Sequence, residues 1–298
     1  MSELEVNLAG LRLRNPLMNA SGVLGNSASL LRRVASAGAG AVVSKSMTIE
    51  PRQGHDNPTY VKLRCGALNA MGLPNPGYEN MVRELERLGD LHIPIIASIA
   101  PADEREAETM SRAVGVVAQA VELNLSCPHA TKLGYEVGAD LALAKRILER
   151  AKASISKPVF VKLPAVRDNC LSLAQELGSA DGFVVANTIR AMAIDVSARK
   201  PVLSAKFGGL SGYPLHSIVV GLLYELHEVT EKPLVGTGGV EFWDDAVELM
   251  LAGAKAVQVG SALAGDLRLF QRIRTGMVDY LKKCDLTASE LVGLAHRA

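Results

Sequence analysis

The sequence predicts an α/β protein, a (β/α)8 TIM barrel with long inserted loops at its carboxyl-terminal mouth. Eight short apolar segments recur along the chain, and amphipathic helical segments separate most of them. The apolar segments are residues 17–21, 41–46, 94–100, 121–128, 158–164, 181–188, 233–240 and 256–263. Apolar strands that alternate with helices indicate a parallel sheet covered on its outer face. Eight such strands in 298 residues fit a closed barrel better than an open sheet.

Six segments between the strands have the spacing of amphipathic helices, namely residues 27–38, 104–120, 139–155, 169–180, 215–230 and 242–254. Two connections, residues 47–93 and 189–232, are too long for a single helix. Long connections at a barrel mouth usually form lids or binding walls. Because no linker or low-complexity segment divides the chain, we expect one domain over residues 1–298.

The composition argues against several classes of protein. The chain is 48% hydrophobic and 21% charged, with a net charge of +1, so nothing indicates nucleic acid or a membrane surface as a partner. No signal peptide or transmembrane segment is expected, because charges interrupt the apolar runs. Cys65, Cys127, Cys170 and Cys284 are scattered, with no CxxC pair, which predicts neither a disulfide scaffold nor a metal site. A cytoplasmic protein is expected.

Six of the eight predicted strands end in chemically capable residues. These are Asn19 and Ser21, Lys45 and Ser46, Asn124 and Cys127, Lys162, Asn187 and Thr188, and Gly260 and Ser261. In a barrel these ends meet at one mouth, where active sites form. The segment VELNLSCPHA, residues 121–130, places an amide, a hydroxyl, a thiol and an imidazole close together. Such groups are costly to bury without partners, so the segment is either an ordinary strand end or the floor of an active site.

Glycine loops follow the last two predicted strands, GTGG at 236–239 and GS at 260–261. Glycine lets backbone N–H groups approach phosphate oxygens, and loops at these two places in a barrel often bind phosphate. Two ordinary glycine turns are the alternative, and the barrel context favours phosphate. GTGG lacks the GxGxxG spacing, so nothing favours a Rossmann site.

Lys45 and Lys162 each interrupt an apolar strand. A lysine that extends to water explains either one alone, whereas two on separate strands suggest stabilisation of an anion or of an electron-rich group. Asn69, Asn124 and Asn187 together could bind a planar imide ring.

The thiol and the imidazole of the same segment have different simplest explanations. Cys127 could be a small buried residue, but its place before a proline that ends the strand favours a functional thiol. His129 alone fits a solvent-exposed loop.

Motifs along nearly the whole chain, about residues 5–275, resemble the class 1 dihydroorotate dehydrogenases. They are VVSKS, ALNAMGLPNPG, NLSCPH, FVKLP, VANT, FGGLSG, GTGGV and VQVGSAL. The resemblance implies an FMN-binding (β/α)8 barrel that oxidises (S)-dihydroorotate to orotate in pyrimidine (UMP) biosynthesis. It implies that Cys127 is the base that removes a proton from C5, while hydride passes from C6 to flavin N5. A thiol with a pKa of about 8.5 can serve as a base near neutrality.

The resemblance also implies two sets of binding residues. The substrate set is Lys45, Asn69, Ala70, Met71, Gly72, Leu73, Asn124, His129, Asn187 and Thr188. The FMN set is Ser21, Lys45, Ser46, Ser98, Asn124, Lys162, Ala186, Gly212, Gly238, Gly239, Gly260 and Ser261. Lys162 matches the lysine beside the flavin N1–O2 edge, where negative charge collects on reduction.

Two positions depart from the family pattern. His129 stands where the family usually has an asparagine that hydrogen-bonds the pyrimidine, and Ser98 replaces a flavin-contacting asparagine. Both are similar to dihydropyrimidine dehydrogenases, so chemistry on uracil or thymine is one alternative. The placement of Lys45 for a carboxylate, LNAMGLPNPG and GGLSG favour orotate chemistry. A non-catalytic barrel that binds a phosphate ligand is a further alternative, but it would not need a thiol, two lysines and three asparagines at one mouth.

The resemblance extends to partners. Class 2 enzymes use serine as the base and have an N-terminal membrane-associating extension, whereas this chain has Cys127 and is expected to lack that extension. FGGLSG and LNAMGLPNPG favour the type that works with a second subunit, which carries FAD and a [2Fe–2S] cluster and passes electrons to NAD. Since this chain lacks an iron–sulfur cysteine pattern, the cluster would belong to that subunit. A homodimer is also expected, and the sequence leaves the electron acceptor open.

Overall fold

The computed structural model describes residues 3–126 and 140–297. Its strands in chain order are β1 (Val6–Leu8), β2 (Leu11–Leu13), β3 (Leu17–Asn19), β4 (Val42–Val43), β5 (Tyr60–Leu63), β6 (Gly66–Asn69), β7 (Ile95–Ile99), β8 (Ala120–Asn124), β9 (Val159–Lys162), β10 (Gly182–Val185), β11 (Ile189–Met192), β12 (Ile194–Asp195), β13 (Lys200–Pro201), β14 (Phe207–Ser211), β15 (Leu234–Thr237) and β16 (Ala254–Val259). The α-helices are α1 (Ala28–Ser36), α2 (Tyr78–Glu86), α3 (Glu104–Gly115), α4 (Leu141–Ser154), α5 (Arg167–Glu176), α6 (His216–Val229), α7 (Trp243–Leu251), α8 (Leu269–Cys284) and α9 (Ala288–Leu291).

Eight parallel strands form the barrel, in the order β3-β16-β15-β10-β9-β8-β7-β4. A parallel bridge between Met18 and Ala41 brings the first and last strands together and closes the sheet. Every residue of β7, β8, β9, β10 and β15 is buried, which explains why these segments are apolar throughout rather than alternating. The predicted (β/α)8 barrel is confirmed, and each predicted strand segment contains or overlaps one barrel strand. One domain over residues 1–298 stays a prediction.

Side-chain caps fix where three of the outer helices begin. Ser27 accepts a hydrogen bond from the backbone N–H of Leu30, and Asp103 does the same for Glu106. Asp140 caps α4 by accepting from the N–H of Leu143. Each cap satisfies an N–H group that the first turn of a helix leaves without a partner.

The two long connections combine into one structure above the mouth. Strands β5 and β6 come from the first connection, and β11 and β14 come from the second. They form a four-stranded antiparallel sheet, the mouth sheet, in the order β11-β14-β6-β5. In its centre Asn69 pairs with Gly209 and Ala67 pairs with Ser211. The predicted binding wall is therefore built jointly by two segments that lie far apart in the sequence.

Asn19, at the end of β3, joins the two edges of the closing barrel. Its buried amide donates to the carbonyl oxygens of Val43 (2.8 Å) and Val23 (2.8 Å), and its oxygen accepts from the N–H of Val43 (2.9 Å). The closure between β3 and β4 thus depends on a side chain where backbone pairing is sparse. Among the chemically capable strand ends, this one is structural.

We expect Asn19→Leu to lower the free energy of unfolding by about 2 to 5 kcal/mol, because it leaves several buried backbone groups without partners. Urea denaturation of the purified protein measures this. Asn80→Ala is the matched control, since Asn80 is exposed on α2 and donates one bond to the Pro76 carbonyl. The control should cost less than about 0.5 kcal/mol, and equal losses in the two variants would refute a special role for Asn19.

Candidate active site

A cavity of about 500 Å³ opens at the carboxyl ends of the barrel strands and extends under the mouth sheet. Its size is typical of a pocket for a cofactor or a drug-sized ligand. Most of the predicted site residues line it: Ser21, Lys45, Ser46, Asn69, Met71, Gly72, Leu73, Asn124, Lys162, Ala186, Asn187, Thr188, Gly212, Gly238, Gly239, Gly260 and Ser261. Gly22, Tyr60, Leu215 and Glu241 also line it and were not predicted.

Two predicted site residues that the structure describes are not part of this lining. Ala70 and Ser98 are fully buried behind the cavity wall. The hydroxyl of Ser98 lies 2.9 Å from the hydroxyl of Ser46, which lines the cavity. Cys127 and His129 lie outside the described residues.

Amide side chains form part of the cavity floor and hold one another in place. Asn124 donates to the hydroxyl of Ser46 (3.0 Å), and its oxygen accepts from the amide of Asn187 (3.3 Å). Asn187 also donates to the hydroxyl of Ser126 (3.1 Å) and accepts from the N–H of Thr188 (2.8 Å). Since these bonds fix which end of each amide is the donor, the floor presents a preorganised pattern to a planar ligand.

Lys162 is a buried cation on the same floor, with a side chain only 6% exposed. Its ammonium group lies 3.4 Å from the hydroxyl of Ser21, 3.3 Å from the amide oxygen of Gln258 and 3.9 Å from the carboxylate of Glu122. Gln258 also donates to Glu122 (2.7 Å), and Ser98 donates to Glu122 (3.2 Å). The carboxylate therefore balances the lysine charge from beneath, while the ammonium remains at the cavity wall.

Sequence reasoning missed Glu122 and Gln258, although each leaves a signal. Both are polar residues inside otherwise apolar strands, in VELNL and AVQVG. Buried charges are retained in proteins when they are paired, so a glutamate in one barrel strand could have been matched with the lysine in the next.

The glycine loop, residues 236–239, forms one end of the cavity. Gly238 and Gly239 have φ values of +155° and +67°, which other residues rarely adopt. A Cβ at Gly239 would lie 3.0 Å from the backbone nitrogen of His216, so this loop packs directly against the start of α6. These two glycines are required by the fold as well as suited to an anion.

Gly22 and Gly260 provide an independent test for a ligand. Both line the cavity, neither has a positive φ, and a Cβ would meet nothing within 4 Å at Gly22 and only Ala20 at 3.9 Å at Gly260. At Gly22 protein packing therefore does not explain the absence of a side chain. Close approach of a bound group to the backbone does explain it.

The three cysteines that the structure describes do not line the cavity. Burial raises the pKa of the Cys170 thiol to about 12, so it stays protonated at neutral pH. Cys65 and Cys284 are exposed, and none of the three lines the cavity. Within the described residues no cysteine competes with Cys127 for the role of base.

Over residues 3–126 and 140–297, no group of three or more histidine, cysteine, aspartate or glutamate side chains is arranged to hold a metal ion. In the same part of the chain, no helix is both long and apolar enough to cross a bilayer.

The sequence matches the family described as dihydroorotate dehydrogenase over residues 3–281. This chain belongs to the dihydroorotate dehydrogenase family. That assignment confirms the family that the sequence motifs predicted, and the family is flavin-dependent. Because the match spans both long connections and all eight barrel strands, it includes the whole cavity described above.

Two archaeal relatives are similar over almost their whole length. Both are named dihydroorotate dehydrogenase B (NAD(+)), catalytic subunit. The protein from Pyrococcus horikoshii is 44% identical over 298 residues, covering 98% of this chain and 97% of that one. The protein from Methanocella arvoryzae is 43% identical over 293 residues, with the same coverage of 98% and 97%.

The fold is also similar to a solved structure, the crystal structure of dihydroorotate dehydrogenase in complex with ferulenol from Eimeria tenella. The TM-score is 0.85 and the sequence identity is 22%, with 100% of this chain and 90% of that chain covered. At this identity the likeness supports the barrel alone.

Proposed function

We propose that this chain is an FMN-dependent dehydrogenase that oxidises (S)-dihydroorotate to orotate in pyrimidine biosynthesis. The observation that supports this most is the cavity floor of this chain, which belongs to the dihydroorotate dehydrogenase family. There buried Lys162 lines the same cavity as Asn124 and Asn187, whose amides are hydrogen-bonded to each other. A cation beside fixed amides suits a flavin that gains negative charge on reduction and a planar pyrimidine above it. The archaeal relatives carry names that state the same activity.

The residues of the cavity fit FMN. The glycine loop with Gly260 and Ser261 would hold the phosphate, and Lys162 with Ser21 would face the pyrimidine edge of the flavin ring. Gly22 and Gly260 leave room that the protein itself does not fill. FMN, when bound, supplies the acceptor for the hydride that leaves the substrate.

The substrate would lie between the floor amides and the mouth sheet. Asn69 lines the cavity from β6, and Lys45, in the connection that follows β4, could pair with the carboxylate of the substrate. Cys127 would remove the proton from C5. Support for this role comes from Ser126, its neighbour in the chain, which is buried and accepts a hydrogen bond from Asn187 at the cavity floor.

We also propose a second subunit. The relatives are named as catalytic subunits of an NAD-linked enzyme, which implies a separate electron-transfer subunit for them. For this chain the proposal is a subunit with FAD and a [2Fe–2S] cluster, together with a homodimer of the chain itself. A cytoplasmic location would suit such an assembly.

The purified protein should be yellow, and its flavin absorbance near 450 nm should bleach anaerobically on addition of dihydroorotate. Dihydrouracil, added to a parallel sample, should leave the absorbance unchanged. Both substrates would reduce flavin by the same type of hydride transfer, so the same absorbance change can be followed for each. The substrate that causes the bleaching therefore separates orotate chemistry from dihydropyrimidine chemistry. A colourless protein that cannot be reconstituted with FMN would refute the proposal, and bleaching by dihydrouracil alone would reassign the substrate.

A further inference from the structure

His216 is a buried histidine directly behind the glycine loop. It is the first residue of α6, and it follows a 3₁₀ turn (Tyr213–Leu215) whose flanking Gly212 lines the cavity. A Cβ at Gly239 would lie 2.7 Å from the Cβ of His216, so the two residues are in direct contact. The side chain is only 5% exposed. Neither the sequence motifs nor the proposed reaction uses it.

Both ring nitrogens of His216 face hydrogen-bond acceptors. Nδ1 lies 3.2 Å from the carbonyl oxygen of Gly238, and Nε2 lies 2.8 Å from a carboxylate oxygen of Glu248. A neutral imidazole has one N–H group and can satisfy only one of these acceptors. The imidazolium form has two and satisfies both. The geometry therefore favours a positively charged ring at this place.

The charges around the ring support the same form. On α7, which packs against α6, Glu248 and Asp245 both face Nε2, at 2.8 Å and 3.9 Å. Asp245 is held by the N–H groups of Glu241 and Phe242 through its other oxygen. On the 3₁₀ turn the ring of Tyr213 stacks on the imidazole, with ring centroids 6.1 Å apart. From the glycine loop that follows β15, the Gly238 carbonyl faces Nδ1. Among the described residues, no lysine or arginine forms an ion pair with Glu248 or Asp245.

We propose that His216 is a positioning residue for the phosphate of FMN. Its protonated ring donates to the Gly238 carbonyl, which fixes the peptide between Gly238 and Gly239 and directs the N–H groups of the loop. The same ring places a positive charge behind a phosphate that carries close to two negative charges at neutral pH. The inference rests on the proposed FMN site, and it adds a positioning residue at the phosphate end.

The test compares FMN with riboflavin, which lacks the phosphate. Binding of each to the full-length chain freed of flavin is measured by quenching of flavin fluorescence, from pH 6.5 to 9. In the parent protein FMN should bind more tightly than riboflavin, and this advantage should grow as pH falls. Protonation of the ligand phosphate, with a pKa of about 6, acts in the opposite direction. An FMN advantage that grows as pH falls would therefore originate in the protein and not in the ligand.

His216→Gln should reduce the advantage of FMN over riboflavin by about tenfold at pH 6.5 and remove its pH dependence. Glu248→Gln removes the partner that favours the charged ring. At high pH this variant should lose as much of the FMN advantage as His216→Gln does, and at low pH it should lose less. His92→Gln, at an exposed histidine far along the chain, is the control and should match the parent. Riboflavin affinity should stay constant in all variants and reports that the pocket is intact.

Three outcomes would overturn the inference. Equal weakening of FMN and riboflavin in His216→Gln would mean that the ring has only a packing role. An unchanged FMN advantage in that variant would remove His216 from the phosphate site. If the parent binds FMN no better than riboflavin, the glycine loop is not a phosphate site. Failure of the proposed function is a different result, in which the parent protein binds neither flavin.

Discussion

Lys162→Met is expected to slow reduction of the bound flavin by dihydroorotate by about 10²- to 10³-fold, the usual loss when one preorganised charge-stabilising group is removed. Lys162 is buried on the cavity floor, and its ammonium lies against Ser21 and Gln258. Without it, negative charge that develops on the ring during hydride transfer has no cation beneath it. Anaerobic stopped-flow absorbance at about 450 nm measures the rate.

The same substitution also leaves Glu122 buried without its cation. Removing one partner of a buried pair typically costs about 3 to 5 kcal/mol, so the single variant should be less stable as well as slower. The double variant Lys162→Met with Glu122→Gln removes both charges and should regain most of that stability. It should not regain the reduction rate. A double variant with near-normal reduction would show that Lys162 is only a structural residue.

Cys127→Ser is expected to retain flavin but to slow its reduction by dihydroorotate by about 10²- to 10⁴-fold at pH 7, the usual contribution of general acid–base catalysis. A hydroxyl is a far weaker acid than a thiol, so much less of the basic form is available. The same stopped-flow assay measures the rate.

Cys65→Ser is the matched control for that experiment, because Cys65 is exposed and does not line the cavity. It should reduce flavin at the parent rate. The flavin spectrum of both variants should be normal, since neither cysteine is proposed to hold the cofactor. An unchanged rate in Cys127→Ser would remove the thiol from the mechanism.

The barrel could be predicted from the sequence because each of its strands is buried on both faces and therefore reads as an apolar run. The ends of those runs also identified nine of the residues that line the cavity, Ser21, Lys45, Ser46, Asn124, Lys162, Asn187, Thr188, Gly260 and Ser261. Helices α2 and α8 were not predicted. The charged and aromatic residues of YENMVRELE and the many charges of LFQRIRTGMVDYLKKC obscure their apolar faces. The mouth sheet was missed because its strands pair over about 140 residues, as Asn69 does with Gly209.

Only part of the hydrogen-bond network on the cavity floor could be predicted from the sequence, because the rest depends on contacts between distant strands. Asn124 and Lys162 stand at strand ends, where polar residues suggest a site. Glu122 and Gln258 lie one layer deeper, inside the strands, where a polar residue can be interpreted only once its partner is known. Ser98 and Ala70 were placed in the cavity by resemblance. In the structure both residues are fully buried, and the hydroxyl of Ser98 bonds to Ser46 and Glu122. Their contact with the cofactor or the substrate stays a prediction.

The mouth sheet has a consequence for protein engineering. Backbone hydrogen bonds join β6 to β14, so cavity-lining residues from the two long connections, Asn69 and Ser211, belong to one ladder. A one-residue shift of register would turn every side chain of the moved strand to the opposite face. Loops exchanged with a relative to alter specificity must therefore be transplanted as a pair, residues 47–93 together with 189–232. A graft of either one alone would mismatch its neighbour.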